Sequence, residues 1–384
     1  MRRGPGGLML KALKLTRKAS LSEATAVIQK AIRLAVVVNE RPAPTARLRK
    51  PPAPIVDAQV LERPVSPRPG SPSATRVAAA GAAAPRVRIA PDSVQRGFID
   101  GRHAFAGATR NYKLYVPVRL DASPSLVVML HGCKQNPDDF AAGTRINERA
   151  SRDGFLVLYP EQSRSANTSM CWNWFQTNDQ QRDHGEAGLI ASLTRSVMDQ
   201  YDVDPTRVYV AGLSAGGAMA ANLALAYPDL FAAAAIHSGL VAGAANNVVD
   251  ALTAMRSGAR RRARADKSLA AGRPSTPTIV FHGDDDRTVS PQNGEQIVEA
   301  AFDGAVPTAD IERGRSDGGR SYARYRYDER NGVARVEHWK LEGAGHAWSG
   351  GAAAGSYTDP KGVDATDQML RFFASHRLEA PVTA

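Results

Sequence analysis

The feature that most constrains this chain is the stretch VYVAGLSAGGAMA at residues 208–220. A β-branched and aromatic run ends in Gly212-Leu213-Ser214-Ala215-Gly216, and an alanine-rich helical stretch over residues 215–227 follows at once. Strand, tight turn and helix is the context in which G-x-S-x-G lifts a serine hydroxyl above the end of a sheet strand. The turn works only if the residues two before and two after the serine carry no bulk that would strike the helix, and Gly212, Gly216 and Gly217 meet that demand. A glycine-rich turn with an incidental serine is the alternative. It requires nothing of the rest of the chain, whereas a nucleophile does.

In a site of this kind an acid and then a histidine follow the serine in chain order, each on a loop after a later strand. Residues 277–283, PTIVFHG, read as a short buried strand running into a turn, followed by Asp284, Asp285 and Asp286. Farther on, residues 336–341 read as a strand, and Glu342-Gly343-Ala344-Gly345-His346-Ala347-Trp348 is a glycine-rich loop with a histidine at its tip. His131, His237 and His282 are expected to be structural, since each sits at the end of an apolar strand rather than on a late glycine-flanked loop.

The remaining strands and helices alternate. Residues 112–116 read as an edge-type strand, 126–130 and 155–159 as buried strands, 185–201 as a helix, and 231–236 as the strand after the elbow helix. Alternation implies a mostly parallel central sheet flanked by helices, with chemistry on the loops at the strands' C-terminal ends, and the G-x-S-x-G turn at the end of one strand makes the α/β-hydrolase fold the expected class. His131-Gly132-Cys133-Lys134-Gln135-Asn136 is such a loop. Acyl transfer needs two backbone N–H donors for its tetrahedral intermediate, one from the residue after the nucleophile and one from an early loop, and losing one costs about 2.7–4 kcal/mol of barrier. Ala215 supplies the first on this reading and Cys133 the second.

Composition separates this α/β unit, residues 94–378, from what precedes it. The 384 residues carry a net charge of +11, and residues 1–95 hold 17 Lys and Arg against 5 Asp and Glu, a net of +12 that leaves the remainder at −1. Residues 10–38 have apolar positions at helical spacing with basic residues between them, and Ser20 with Glu23 has the spacing of a capping box. The basic amphipathic segment, residues 1–39, fits an anionic or apolar surface such as a granule or membrane, or packs on its own catalytic domain. Residues 40–93, rich in Pro, Ala and Arg, read as a disordered linker whose arginines lack the interleaved aromatics of a nucleic-acid site, and residues 379–384 as a tail. No apolar run reaches the roughly 18 residues that would span a membrane, and the stretch after Arg2-Arg3 is cut short by Lys11, unlike a secretory signal.

His131-Gly132-Cys133 with Gln135, Cys171-Trp172-Asn173-Trp174, the elbow, His282-Gly283 with Asp286, Gly345-His346 with Trp348, and Tyr357-Thr358-Asp359-Pro360 together closely resemble the esterase family of poly(3-hydroxybutyrate) depolymerases, over roughly residues 105–376. The resemblance implies Ser214 as nucleophile, Asp286 as acid, His346 as base, and the Cys133 and Ala215 amides as the oxyanion hole. The family's spacing, with the acid three residues after the glycine of His-Gly, selects Asp286 over its two neighbours. It also implies a Cys133–Cys171 disulfide, where the residues alone allow two buried thiols. Such a bridge closes a loop worth about 3–4 kcal/mol and persists mainly in oxidising compartments, while the missing signal points to the cytoplasm. On this reading the polymer-binding module that follows the last helix in the secreted depolymerases is not expected here.

The expected activity is serine-type hydrolysis of a polyester, an oligoester or a small ester, without a metal or other cofactor; oligomeric state is not readable. Trp172, Trp174 and Trp348 are expected to line the acyl or alcohol pocket, although large aromatics are more often core. The basic insertion at residues 256–273 reads as a solvated loop or a lid. Three other readings stand beside this one: a feruloyl or acetyl-xylan esterase, a granule-associated protein in which residues 10–38 do the targeting, and a noncatalytic binding module.

Overall fold

A computed structural model of the chain describes residues 96–259, 276–330 and 332–379. The basic helical segment, the linker, most of the insertion at 256–273 and residues 380–384 lie outside the described residues.

The sheet has ten strands. In chain order they are β1 (Gly97–Phe105), β2 (Ala108–Val116), β3 (Leu126–Leu130), β4 (Leu156–Pro160), β5 (Val208–Leu213), β6 (Ala233–His237), β7 (Thr278–Gly283), β8 (Asp310–Arg315), β9 (Ser321–Arg330) and β10 (Val333–Leu341). Their spatial order is β1-β2-β4-β3-β5-β6-β7-β10-β9-β8. From β4 to β10 all neighbours are parallel, while β1-β2 and β9-β8 extend the two edges with antiparallel pairs. This is the α/β-hydrolase architecture.

Both faces of the parallel centre are covered, which is why its strands are continuous apolar runs. Leu126, Val128 and Leu130 on β3, with Val208 and Val210 on β5, enter one core beneath the helices α4 (Gly185–Tyr201) and α5 (Ala215–Ala226). Val127, Met129, Tyr209 and Ala211 point the other way, toward α1 (Pro137–Thr144), α2 (Ile146–Asp153) and α8 (Ala365–Ala374). The period of two in β-structure makes that division automatic. The other helices among the described residues are α3 (Thr177–Gln180), α6 (Val248–Ser257) and α7 (Gln292–Ala301).

Two expectations change. The strand at 112–116 begins earlier and lies inside the sheet, paired with β1 on one side and β4 on the other. The strand expected at 231–236 starts at Ala233, because the Phe231 N–H turns back to the Tyr227 carbonyl at 3.1 Å and holds Phe231 in the turn that follows the helix instead.

On β10, Glu337 is buried between two cations. Arg324 of β9 donates to its Oε1 at 2.7 Å, Arg371 of α8 to its Oε2 at 2.6 Å, and the Trp339 indole N–H to Oε2 at 3.1 Å. Burial pushes this carboxyl up, but the two arginines outweigh it and hold the group below the ordinary glutamate value. The stabilisation is therefore complete above the unfolded value of 4.5 and is lost as the pH falls through the lowered native one. Glu337→Ala, which takes the buried carboxylate from both Arg324 and Arg371 and leaves Arg324 only the exposed Glu312, is expected to cost about 3–5 kcal/mol in urea unfolding at neutral pH. Glu312→Ala, at the exposed partner of Arg324, costs under about 1 kcal/mol in the same measurement.

Candidate active site

The turn between β5 and α5 puts Ser214 at φ 58°, ψ −118°, a backbone region that non-glycine residues rarely occupy. The surroundings hold it there. Its N–H donates to the His237 carbonyl at the end of β6, and its carbonyl accepts the Ala218 N–H, both at 2.9 Å. Ser214 is partly exposed, whereas the residues from Gly212 to Leu213 and from Ala215 to Gly217 are buried. A side chain at Gly216 would lie 2.0 Å from the Leu130 carbonyl oxygen, and one at Gly212 would lie 2.3 Å from the Gly216 backbone. Only glycine at these positions lets the helix start against the ends of β3 and β5.

Asp286 follows β7 and is 5% exposed. Its Oδ1 accepts the Thr288 and Val289 N–H groups, each at 2.9 Å, and its Oδ2 lies 2.7 Å from His346 Nδ1. Burial pushes the Asp286 carboxyl up, but the hydrogen bond and charge of His346, with the Val289 amide, bring it below the usual carboxylate value. An ionised carboxylate accepts only, so His346 carries its proton on Nδ1 and presents Nε2 as a base. The neighbouring aspartates are exposed and otherwise occupied: Asp284 Oδ1 accepts the Gly343 N–H at 2.6 Å, and Asp285 pairs with Arg287 at 3.0 Å.

The other histidines are framework. His282 donates to the Val289 carbonyl at 2.9 Å and packs behind Asp286, its Nε2 3.6 Å from Oδ2. His237 lies stacked against Phe281 and Trp348 and accepts the Ser349 N–H at 3.0 Å. Burial pushes His237 down to about 3 and His131 to about 4, so both are neutral in use.

The loop after β3 lies beside the serine, since a side chain at Gly132 would come within 3.6 Å of Ser214 Cβ. Its polar groups are committed in a pattern. Gly132 N–H donates to Gln135 Oε1 at 2.9 Å and Lys134 N–H to the Ser169 carbonyl at 2.9 Å. Among the described residues the Cys133 and Ala215 amides between these bonds have no protein acceptor. Two unclaimed N–H groups next to one raised hydroxyl form a place where negative charge on an oxygen would be stabilised. Gln135 also donates to Asp139 at 2.8 Å and to the Ser356 carbonyl at 3.1 Å, and Asp139 accepts from the Ser356 N–H at 2.8 Å. This clamp joins the loop after β3 to the chain beyond His346, and sequence reading missed Asp139 and Ser356 because nothing in their spacing marks them.

Cys133 and Cys171 form a disulfide with 4.2 Å between their Cα atoms. The three tryptophans are a correction. Trp172, Trp174 and Trp348 are 0%, 5% and 2% exposed and face the core rather than a pocket. The Trp172 indole donates to the His131 carbonyl at 3.1 Å and that of Trp348 to Thr366 Oγ1 at 3.0 Å, so each N–H finds an internal acceptor. Among the described residues, the aromatic side chain that does stand open beside His346 is Tyr357, 44% exposed, its ring 6.5 Å from that of His346. A bowl of about 510 Å³ between the Gly318–Ser321 turn, Gly343 and Lys361 borders the His346 loop without including Ser214, Asp286 or His346.

The arrangement is suited to acyl transfer. In denatured, unreduced protein no free thiol should titrate. Reduction is then expected to lower stability by about 3–4 kcal/mol and turnover with it, because the freed loop carries the Cys133 amide. Unfolding and ester turnover, followed with and without dithiothreitol, check both.

A family model described as esterase PHB depolymerase matches residues 110–313. Poly(3-hydroxyalkanoate) depolymerase C of Paucimonas lemoignei is 34% identical over 60% of this chain and 57% of its own length. Feruloyl esterase B of Thermothelomyces thermophilus is 36% identical over 34% of this chain and 45% of its own. The chain thus spans about half the length of the curated relatives it matches. Among solved structures, acetyl xylan esterase from Aspergillus awamori superposes with a TM-score of 0.55 at 21% identity, over 69% of this chain and 94% of that one, a likeness of fold. The elbow serine, the buried acid bonded to a histidine and the paired amides stand on a chain whose sequence matches over more than half its length: it belongs to the PHB depolymerase esterase family.

Proposed function

We propose that this enzyme is a serine esterase acting on poly(3-hydroxybutyrate), its oligomers or related short-chain hydroxyalkanoate esters. The observation that carries the reading is the hydrogen bond from His346 to a buried Asp286, on loops after β10 and β7, in a sheet whose central strand ends at Ser214. Ser214 attacks the ester carbonyl while His346 Nε2 takes its proton. Asp286 holds the imidazole in its tautomer and the Cys133 and Ala215 amides receive the oxyanion; the intermediate then collapses by breaking the ester C–O bond, the departing alcohol takes the proton from His346, and water repeats the sequence on the acyl-enzyme to release the acid and restore Ser214. The similarity to a poly(3-hydroxyalkanoate) depolymerase supports the polyester choice. Tyr357 is the surface we assign to the substrate chain beside the base. Because the Cys133–Cys171 bond persists mainly under oxidising conditions, we assign the working enzyme to such a compartment.

A second reading, hydrolysis of feruloyl or acetyl esters on plant polysaccharide, rests on the 36% identity to feruloyl esterase B. Initial rates on 3-hydroxybutyrate oligomers, amorphous polymer granules, methyl ferulate and acetylated xylan separate the two. Faster hydrolysis of either plant substrate than of the oligomers would overturn the polyester assignment.

Ser214→Ala is expected to lower kcat on a p-nitrophenyl ester by about 10⁶-fold with an unchanged circular dichroism spectrum. Asp286→Asn should lower it by about 10⁴-fold through loss of the productive tautomer. Asp284→Asn is expected to stay within tenfold of the parent, since an amide oxygen still accepts the Gly343 N–H. A larger loss in Asp284→Asn than in Asp286→Asn would move the acid by two residues.

A further inference from the structure

Glu186 opens α4 with its side chain 4% exposed, and it takes no part in the chemistry described above. Burying a carboxylate is costly unless its oxygens are satisfied. Here they are satisfied by donors alone. Gln162 Nε2 and Asn173 Nδ2 donate to Oε1, the latter at 2.9 Å, and the Asn173 backbone N–H donates to Oε2 at 2.7 Å. Arg110 of β2 stands 3.9 Å from Oε1, and the other carboxylate nearby, Asp179 of α3, accepts the Glu186 backbone N–H at 2.9 Å. The Gln162 amide is oriented by backbone partners, its Oε1 accepting the Ser163 N–H and its Nε2 donating to the Cys171 carbonyl, each at 3.0 Å.

What these donors belong to gives the carboxylate a use. Residues 171–173 form a strap under the loop after β3. Cys171 is bonded to Cys133, the Trp172 indole reaches the His131 carbonyl, and Asn173 ends on Glu186 through both its backbone and its side chain. Gln162 ties the same parts a second time, its N–H donating to His131 Nε2 at 3.1 Å while its side chain reaches Glu186 and Cys171. The strap has no regular secondary structure, so these contacts fix its position.

We infer that Glu186 is a positioning residue of the oxyanion hole: its carboxylate anchors the 171–173 strap, and the strap, through the disulfide and the Trp172 indole, sets where the Cys133 amide points. The inference rests on the proposed role of that amide as an oxyanion donor. An oxyanion donor acts in the transition state, so a displaced strap lowers kcat and leaves ground-state binding alone. Glu186→Gln keeps the shape but sets an NH₂ group against a shell made of donors.

The test uses the purified full chain and short-chain p-nitrophenyl esters, well below each variant's melting temperature. Glu186→Gln is expected to lower kcat about 10–100-fold with KM within about twofold, the scale of a displaced but not deleted donor. Repeated on dithiothreitol-reduced protein, the wild-type to variant ratio of kcat should shrink, because reduction cuts one of the ties through which Glu186 acts. If Glu186→Gln does not fold, Glu186→Asp, which keeps the carboxyl group and withdraws it by one methylene, is read in the same way. A raised KM at constant kcat, or an equal kcat loss in oxidised and reduced protein, would overturn the inference. So would misfolding of both variants, which would make Glu186 a residue of folding alone. A wild type inactive on every ester would instead overturn the proposed function.

Discussion

The rest of the site depends on one close approach, that of the start of α5 to the ends of β3 and β5. Gly216 lies so near the Leu130 carbonyl that no Cβ fits, and this contact sets the loop after β3 next to the serine turn. Two consequences follow from the same geometry. The Ser214 backbone is forced to positive φ, which lifts the hydroxyl out of the sheet, and the Ala215 N–H, one of the first in the helix, has no intrahelical partner. The unfavourable backbone of one residue is thus tied to the unclaimed donors that make the site useful.

Around this turn the interior has been kept neutral. His131 and His237 are held uncharged by burial, and each accepts a backbone N–H on Nε2, from Gln162 and Ser349 respectively. They act as rigid polar spacers between strand ends. Asp286 and Glu337, two buried carboxyls held below their ordinary values, are surrounded by enough donors to repay their desolvation. The charged partner of His346 therefore stands in a region of low competing charge, where its effect on the imidazole is least screened.

The parallel centre of the sheet could be read from the sequence because burial on two faces leaves apolar runs such as LVVML and TIVFHG. β8 could not. DIERGR is almost wholly exposed, and its pairing with β9 is decided by neighbours rather than by an apolar pattern. The same distinction holds in the site. Ser214 announces itself by glycines that leave no room for a Cβ, and His346 by a glycine-rich loop in which Gly343 takes a φ of 63°. Glu186 carries no such mark, since Arg110, Gln162 and Asn173 come from separate stretches and meet only in the fold. The tryptophans misled because residue type points equally to a pocket and to a core, and the choice fell to where their indole N–H groups found acceptors.

Asp284, Asp285 and Asp286 show how environment alone divides three identical side chains. The chain leaves β7 in a tight turn in which the Asp286 N–H returns to the Gly283 carbonyl at 3.3 Å and the Asp285 N–H bonds the Ala344 carbonyl at 3.1 Å. That turn directs the third carboxylate inward, where it meets two backbone donors and His346, and leaves the first two in solvent. An exposed pair such as Asp285 with Arg287 contributes little in water. Asp284 is different again: its bond to Gly343 N–H fixes the loop three residues before His346, and this needs an acceptor oxygen but no charge. The first aspartate therefore sets where the histidine stands, and the third sets which of its nitrogens carries the proton.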